Sequence, residues 1–232
     1  MNMLILNGSP RKRAGATQKV IDWFVEGAKE KGAAVDERVV VELAIKPCRG
    51  CFHCWFISPG ECIIEDRMVE LLERFDWADM LVWAAPVFND SFPAEIKAVL
   101  DRTLPTAKPE FVERDGLIAH PTRLHKKHKA MLISVSGFPQ IEAFDQLSAT
   151  FKKVCHEHEW EFAGEILCPA AQSGMHSSNQ LTEMEAAVRR AGEEAAQGSL
   201  SPETQEAVRK NYLDRDVMTR GYHAFLKSKG LL

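Results

Sequence analysis

No apolar run in this chain approaches the roughly 20 residues that a membrane-crossing helix needs. Positive charge is not in excess either: 29 Lys and Arg stand against 33 Asp and Glu, a net −4 that offers a polyanion no broad landing surface. A P-loop requires Lys before its Ser/Thr, and no Lys precedes Thr17. The dinucleotide fingerprint requires Gly-x-Gly-x-x-Gly, and the run from Gly8 to Gly15 lacks that spacing. Gly-x-Ser-x-Gly elbows and His-Glu-x-x-His zinc helices are missing too. So are internal repeats, low-complexity tracts, and the charged region and small-residue cleavage site of a secretory peptide. These absences predict a cytoplasmic protein that engages neither membrane nor nucleic acid.

What is there reads as an α/β protein. Hydrophobic runs alternate with helical patterns along 232 residues, 45% of them hydrophobic, the signature of βαβ units around a parallel sheet. Strands are expected at Met1 to Leu6, Val35 to Leu43, Met80 to Ala85, Ala130 to Ser136 and Phe162 to Cys168. Helices are expected after Thr17, from about Asp66 to Phe75, near Pro93, over 141–158, and over Leu181 to Ala196. Beyond Pro169 the chain reads as helical, ending with Pro202 to Lys229. The long connection 104–129 has little periodicity and a basic cluster from His125 to Lys129, and connections of that length serve as lids, binding loops or subunit contacts. The expected division is an α/β domain over 1–196, with a cysteine-rich insert 47–65 and the loop 104–129, and a helical tail over 197–232.

The first βα turn is the most informative stretch. An apolar strand runs into Asn-Gly-Ser-Pro-Arg-Lys-Arg, and a helix opens at Thr17. Such a passage gathers free backbone N–H groups and the positive end of a helix dipole at one point. Ser9 and Thr17 add hydroxyls, and Arg11, Lys12 and Arg13 add charge, which suits a phosphate monoester. In a sheet of order 2-1-3-4-5 the loops after strands one, three and four adjoin. The second loop, Pro86-Val87-Phe88-Asn89, offers a stacking ring and hydrogen-bonding groups. In the third, Gly137 lets the main chain approach a flat ring. Phosphate at one end and a stacking slot at the other describe a mononucleotide such as FMN.

Four of the six cysteines fall in Cys48-x2-Cys51-x2-Cys54-x7-Cys62. In a reducing compartment this clustering favours metal or redox chemistry over disulfides. Thiolates at two-residue gaps suit an iron–sulfur cluster, with zinc and plain reduced thiols as the alternatives. Cys155-His156-x-His158 sits on a predicted helix with its side chains diverging, and reads as solvated surface. His125 and His128 read as a basic patch, Asp101-Arg102 as a structural charge pair, and Cys168 as core.

Together these motifs resemble the NAD(P)H-dependent FMN reductases of the flavodoxin-like superfamily. They are Leu4 to Thr17, Pro47-Cys48-x-Gly50-Cys51-x-x-Cys54, Gly60-x-Cys62, and Ala78-Asp79 leading to Pro86-Val87-Phe88 with Lys97 and Asp101-Arg102. The cysteine run is similar to that of the family's iron–sulfur flavoproteins. The resemblance covers about residues 1 to 170. It implies a flavodoxin-like three-layer sandwich around a five-stranded parallel sheet. It also implies non-covalent FMN, homodimers or homotetramers, and a [4Fe–4S] cluster on Cys48, Cys51, Cys54 and Cys62. Carried over, Ser9, Arg11 and Thr17 hold the phosphate, with Ala16 contributing only backbone where relatives have Asn. Pro86, Val87, Phe88 and Asn89 line the ribityl chain and ring, and Gly137 lies beneath it.

The function expected is an FMN-dependent oxidoreductase, fed by NAD(P)H or a redox protein and passing electrons to a small-molecule or protein acceptor. No catalytic acid or base is assigned, because the flavin carries the chemistry. The competing readings are a non-enzymatic flavodoxin-like electron carrier and a zinc-stabilised module without flavin.

Overall fold

Strands β1 (Asn2–Asn7), β2 (Ala34–Val39), β3 (Met80–Pro86), β6 (Lys129–Val135) and β7 (Glu161–Cys168) form one parallel sheet in the order β2-β1-β3-β6-β7. A separate hairpin pairs β4 (Val112–Arg114) with β5 (Leu117–Ala119). The structure is a computed structural model and describes residues 1–171, 176–210 and 213–232. The flavodoxin-like order 2-1-3-4-5 expected from the sequence is therefore present, once the two hairpin strands are set aside. Around the sheet run α1 (Ala16–Glu30), α2 (Val40–Leu43), α3 (His53–Phe56), α4 (Met68–Trp77), α5 (Ala94–Asp101), α6 (Asp145–Glu157), α7 (Ser178–Ala195), α8 (Pro202–Arg209) and α9 (Arg215–Ser228). No helix among the described residues is long and apolar enough to cross a membrane.

The central strands are buried on both faces, which explains their continuous apolar runs. Period-two alternation still sorts their side chains into two cores. Met3, Ile5, Val82 and Ile133 face α1 and α7, while Leu4, Leu6, Trp83 and Leu132 face α4, α5 and α6. Both sheet edges are protected. On β2, Asp36 binds Arg38 and Arg74 at 2.8 and 2.6 Å. Along β7, Leu200 N donates to Ala163 O at 2.9 Å, and the buried Glu165 is held by Ser148, Lys152 and Arg209. Charged or covered edges of this kind prevent strand addition.

Several expectations need correction. The second strand ends at Val39 rather than Leu43: the chain turns into α2, which places Val40 and Leu43 on one helical face against the core. The loop 104–129, expected to have little periodicity, carries the β4–β5 hairpin. Its turn is Asp115-Gly116, both with positive φ (51° and 76°), the geometry a tight two-residue hairpin turn demands. The expected helix Pro202 to Lys229 is broken between α8 and α9, because Lys210 leaves helical geometry and Asp214 caps a new start by accepting from Asp216 N and Val217 N. The parts of the helical expectation on 172–175 and 211–212 lie outside the described residues. Asp101 and Arg102 do not pair with each other: Asp101 binds Lys97, and Arg102 binds Asp66.

Candidate functional site

At the N-terminus of α1 no side chain caps the helix and no acidic residue occupies its first turn. The first N–H groups of a helix have no intrahelical acceptor, so an uncapped start leaves them directed outward with the positive dipole end. Ser9 and Thr17 are both buried. Ser9 Oγ lies 2.9 Å from where a Cβ on Gly15, the N-cap residue, would stand, and the Arg11 side chain flanks the same point at 3.3 Å. Among the described residues neither hydroxyl has a protein hydrogen-bond partner. Lys12 and Arg13 are drawn to Glu42 and Glu37, whereas Arg11 has no acidic partner among the described residues. The Ser9 hydroxyl and the Arg11 stem therefore meet at the uncapped helix start, and the buried Thr17 lies in its first turn.

The loop is shaped by a residue that the sequence reading quoted but did not assign. Asn7 is fully buried; its Oδ1 accepts from Ser9 N at 3.0 Å and its Nδ2 donates to Gln18 Oε1 at 2.7 Å. It thus ties the strand end to both sides of the turn. Gly8 is required for packing, since a Cβ there would stand 2.1 Å from Ile96 Cγ1.

The other two loops adjoin this one, because β1, β3 and β6 are neighbours. Gly8 N donates to Ala84 O (2.7 Å) and Val87 N to Val135 O (2.9 Å). Phe88 and Ser91 exchange backbone hydrogen bonds at 2.9 and 3.0 Å across a turn in which Asn89 and Asp90 both have positive φ. That turn holds the Phe88 ring 47% exposed, with Pro86 buried at its base and Val87 partly covered. Above Gly137 there is open space, with no atom within 4 Å of a Cβ position. Its neighbour Phe138 is 62% exposed. The signal for this second exposed ring in the sequence is a large apolar residue directly after a strand-end glycine. Gly137, Phe138 and Pro139 also form one wall of a cavity of about 1110 Å³ closed on the other side by Met218, Tyr222 and His223 of α9.

All four segment cysteines line one small recess of about 20 Å³ with Arg102, Leu104 and Pro105. Burial, and then the proximity of Cys62, Cys48 and Cys51, pushes the Cys54 thiol above its ordinary value. Gly50 N donates to Cys48 Sγ at 3.5 Å. Among the described residues no three Cys, His, Asp or Glu side chains are gathered tightly enough for a single metal ion. A tetrahedral zinc site would need its sulfurs about 2.3 Å from one point. The four thiols therefore share a recess beside the buried Arg102 guanidinium without being gathered on a single point. The recess and the loop crevice are not brought together within one chain. They lie toward opposite ends of α5, an eight-residue helix about 12 Å long.

The remaining candidates fall away from the site. His128 is buried and hydrogen-bonds Phe75 O at 2.8 Å, so it is no surface patch. It directly precedes Lys129, where β6 starts, at the end of the sheet opposite the three loops. Cys155 is also buried rather than solvated, and burial lifts its thiol to about 12; Cys168 is core, at about 12 for the same reason.

A parallel 2-1-3-4-5 sheet with its open loops at the carboxyl ends of the central strands defines a flavodoxin-like protein. The chain belongs to the NADPH-dependent FMN reductase family, which it matches over residues 1–156. It is 35% identical over 104 residues to an iron–sulfur flavoprotein of Methanosarcina thermophila, an alignment covering 45% of this chain and 53% of the relative. The chain spans about half the length of the curated relatives it matches. Among solved structures it is similar to an NAD(P)H:quinone oxidoreductase from Methanothermobacter marburgensis, with TM-score 0.65, 17% identity and coverage of 84% and 96% of the two chains. It is also similar to an FMN-dependent NADH-azoreductase from Bacillus anthracis, with TM-score 0.61, 18% identity and coverage of 84% and 97%. At these identities the structural likeness speaks for the fold.

Proposed function

We infer that the protein is an FMN-dependent oxidoreductase that takes electrons from NAD(P)H or a protein donor and delivers them to a small-molecule or protein acceptor. The observation that carries this reading is the uncapped start of α1, with the Ser9 hydroxyl and the Arg11 stem beside it and the buried Thr17 in its first turn. Family membership supports the choice of FMN over other phosphorylated ligands. Bound FMN supplies hydride acceptance and one-electron release. The chain's own residues bind and orient. Ser9, Arg11, Thr17 and the Ala16 backbone would hold the phosphate. Pro86, Val87, Phe88 and Asn89 would line the ribityl chain and ring, and the open space over Gly137 would receive the ring's face.

Cys48, Cys51, Cys54 and Cys62 would hold a [4Fe–4S] cluster. The shared recess supports this, as do the iron–sulfur flavoproteins among the relatives. Assembly as a homodimer or homotetramer is favoured by the apolar surface beside that recess. Phe56, Ile57, Phe111 and Ile118 are each about 70% exposed there, and the ring series Phe56–Trp55–His120–Phe111 links them.

The test is a visible spectrum of anaerobically purified protein, with iron, acid-labile sulfide and zinc measured on the same sample. NADH and NADPH are then added. Flavin bands bleached by a nicotinamide are expected. Bleaching only by a ferredoxin system would make the protein an electron carrier, and a colourless zinc-containing sample would overturn the flavin reading. Ser9→Ala and Thr17→Ala should each weaken FMN about tenfold or more in titration, since each removes a hydrogen bond to a charged group. The fold should survive, because neither hydroxyl supports the described protein.

A further inference from the structure

Arg102 is 1% exposed, and its side chain closes the cysteine-rich segment at both ends. Nη1 donates to Lys46 O (2.8 Å) and Asp66 Oδ2 (2.9 Å); Nη2 donates to Asp66 Oδ1 (3.0 Å) and Ile64 O (3.3 Å). Asp66 in turn accepts from Lys46 N at 2.9 Å and Met68 N at 3.0 Å. The stem residues on either side of Cys48 and Cys62 are therefore fastened to one guanidinium at the end of α5. Four of its five N–H groups are positioned by these bonds. The fifth, on Nε, is buried and without a hydrogen-bond partner.

A buried guanidinium N–H left unpaired is unfavourable, so its place calls for a reason. Arg102 lines the recess together with the four cysteines. Burial opposes the charged guanidinium, but the Asp66 hydrogen bonds, the neighbouring Cys62 sulfur and the Asp66 charge together raise its pKa. Hydrogen bonds and positive charge directed at a ligand sulfur stabilise the more reduced, more negative state of a thiolate-ligated centre.

We propose that Arg102 is the positioning residue of the cysteine centre: its forked end holds the segment closed on Asp66, Lys46 and Ile64, while its unpaired Nε–H, buried beside the recess that Cys62 lines, is the donor reserved for the Cys62 sulfur of the loaded centre and raises its reduction potential. This rests on the iron–sulfur reading above. The guanidinium transfers no proton and forms no bond to the substrate, so it acts only through Cys62.

The test uses the full chain, purified anaerobically, with iron and sulfide counted before a redox titration followed by visible absorbance and electron paramagnetic resonance. Arg102→Lys keeps the charge but lacks an Nε–H in that position. The double variant R102Q/D66N removes both charges together, so no ion is left unpaired if Arg102→Lys folds poorly. Both, at wild-type iron content, should titrate at a more negative midpoint. An about tenfold change in the ratio of reduced to oxidised centre corresponds to ~59 mV for a one-electron couple. Iron-replete variants with the wild-type midpoint overturn the assignment while leaving the cluster reading intact. A wild-type protein that carries and accepts no iron overturns the cluster reading and this assignment with it.

Discussion

Single residues in this molecule are assigned by their burial and partners more than by their chemical type. Asn7, Arg102 and His158 are polar or ionisable groups, and each is spoken for by named protein atoms. At the end of α6, the His158 Nδ1–H donates to Val154 O at 3.0 Å, Nε2 lies 2.8 Å from Thr103 Oγ1, and the ring lies 4.5 Å from Trp160. Burial depresses its pKa below the ordinary 6.5, outweighing the opposing hydrogen bond to Val154. A group depressed in the folded state binds its proton more readily when unfolded. Its contribution is therefore complete above about pH 6.5 and is lost as the pH falls through the lower folded value. Urea unfolding midpoints should drop between pH 7.5 and 5.5, and His158→Asn should flatten that drop. Equal slopes for the two proteins would remove His158 from the account. None of this was legible from Cys155-His156-x-His158 alone: helical spacing separates side chains around an axis but cannot say which direction faces the core.

Between elements, the closest approach is that of α1 and α7. A Cβ on Gly27 would stand 1.9 Å from Arg189 O, and one on Gly192 would stand 2.0 Å from Phe24 O. The obstructing atoms are backbone, which cannot rotate aside. Gly192→Ala gains about 1 kcal/mol of helix propensity, but forcing the helices apart costs roughly 1–3 kcal/mol or more. A net loss is expected, visible as a fall in Tm of about 2–4 °C for each kcal/mol; an unchanged or raised Tm would contradict the close packing. The amphipathic pattern of α1 was readable in the sequence because its apolar residues repeat at helical spacing. The glycine contact was not, because it depends on which helix from the distant C-terminal region returns to cover α1. The β4–β5 hairpin was different: Asp115-Gly116 is a local turn signal that the long, otherwise aperiodic connection concealed.

Across the whole molecule, burial separates the terminal helix from everything before it. Leu200 and Val208 are buried in the core that the sheet shares with α1 and α7, and Thr204 and Leu213 are buried too, whereas α9 buries no residue. Deleting residues 214–232 should therefore leave the Tm of the flavin-free chain within about 2 °C, since surface elements contribute little to stability. Flavin titration of the same variant would show whether the wall that α9 adds over Gly137 matters to the ligand. A large loss of thermal stability would mean that α9 is part of the core assembly.

The order of motifs along the chain determined the sheet, its strand sequence and the family. Those rest on local signals: apolar runs between turn residues, and a small-residue loop opening a helix. That Arg102 binds Asp66 and Lys46 rather than pairing with Asp101, and that the recess lies an α5 length from the Phe88 loop, were decided only in three dimensions. These are contacts between residues 36 to 56 positions apart, as in Arg102 with Asp66 and with Lys46. Spacing along a chain encodes the geometry of one element, whereas distances between elements follow from how their buried faces pack.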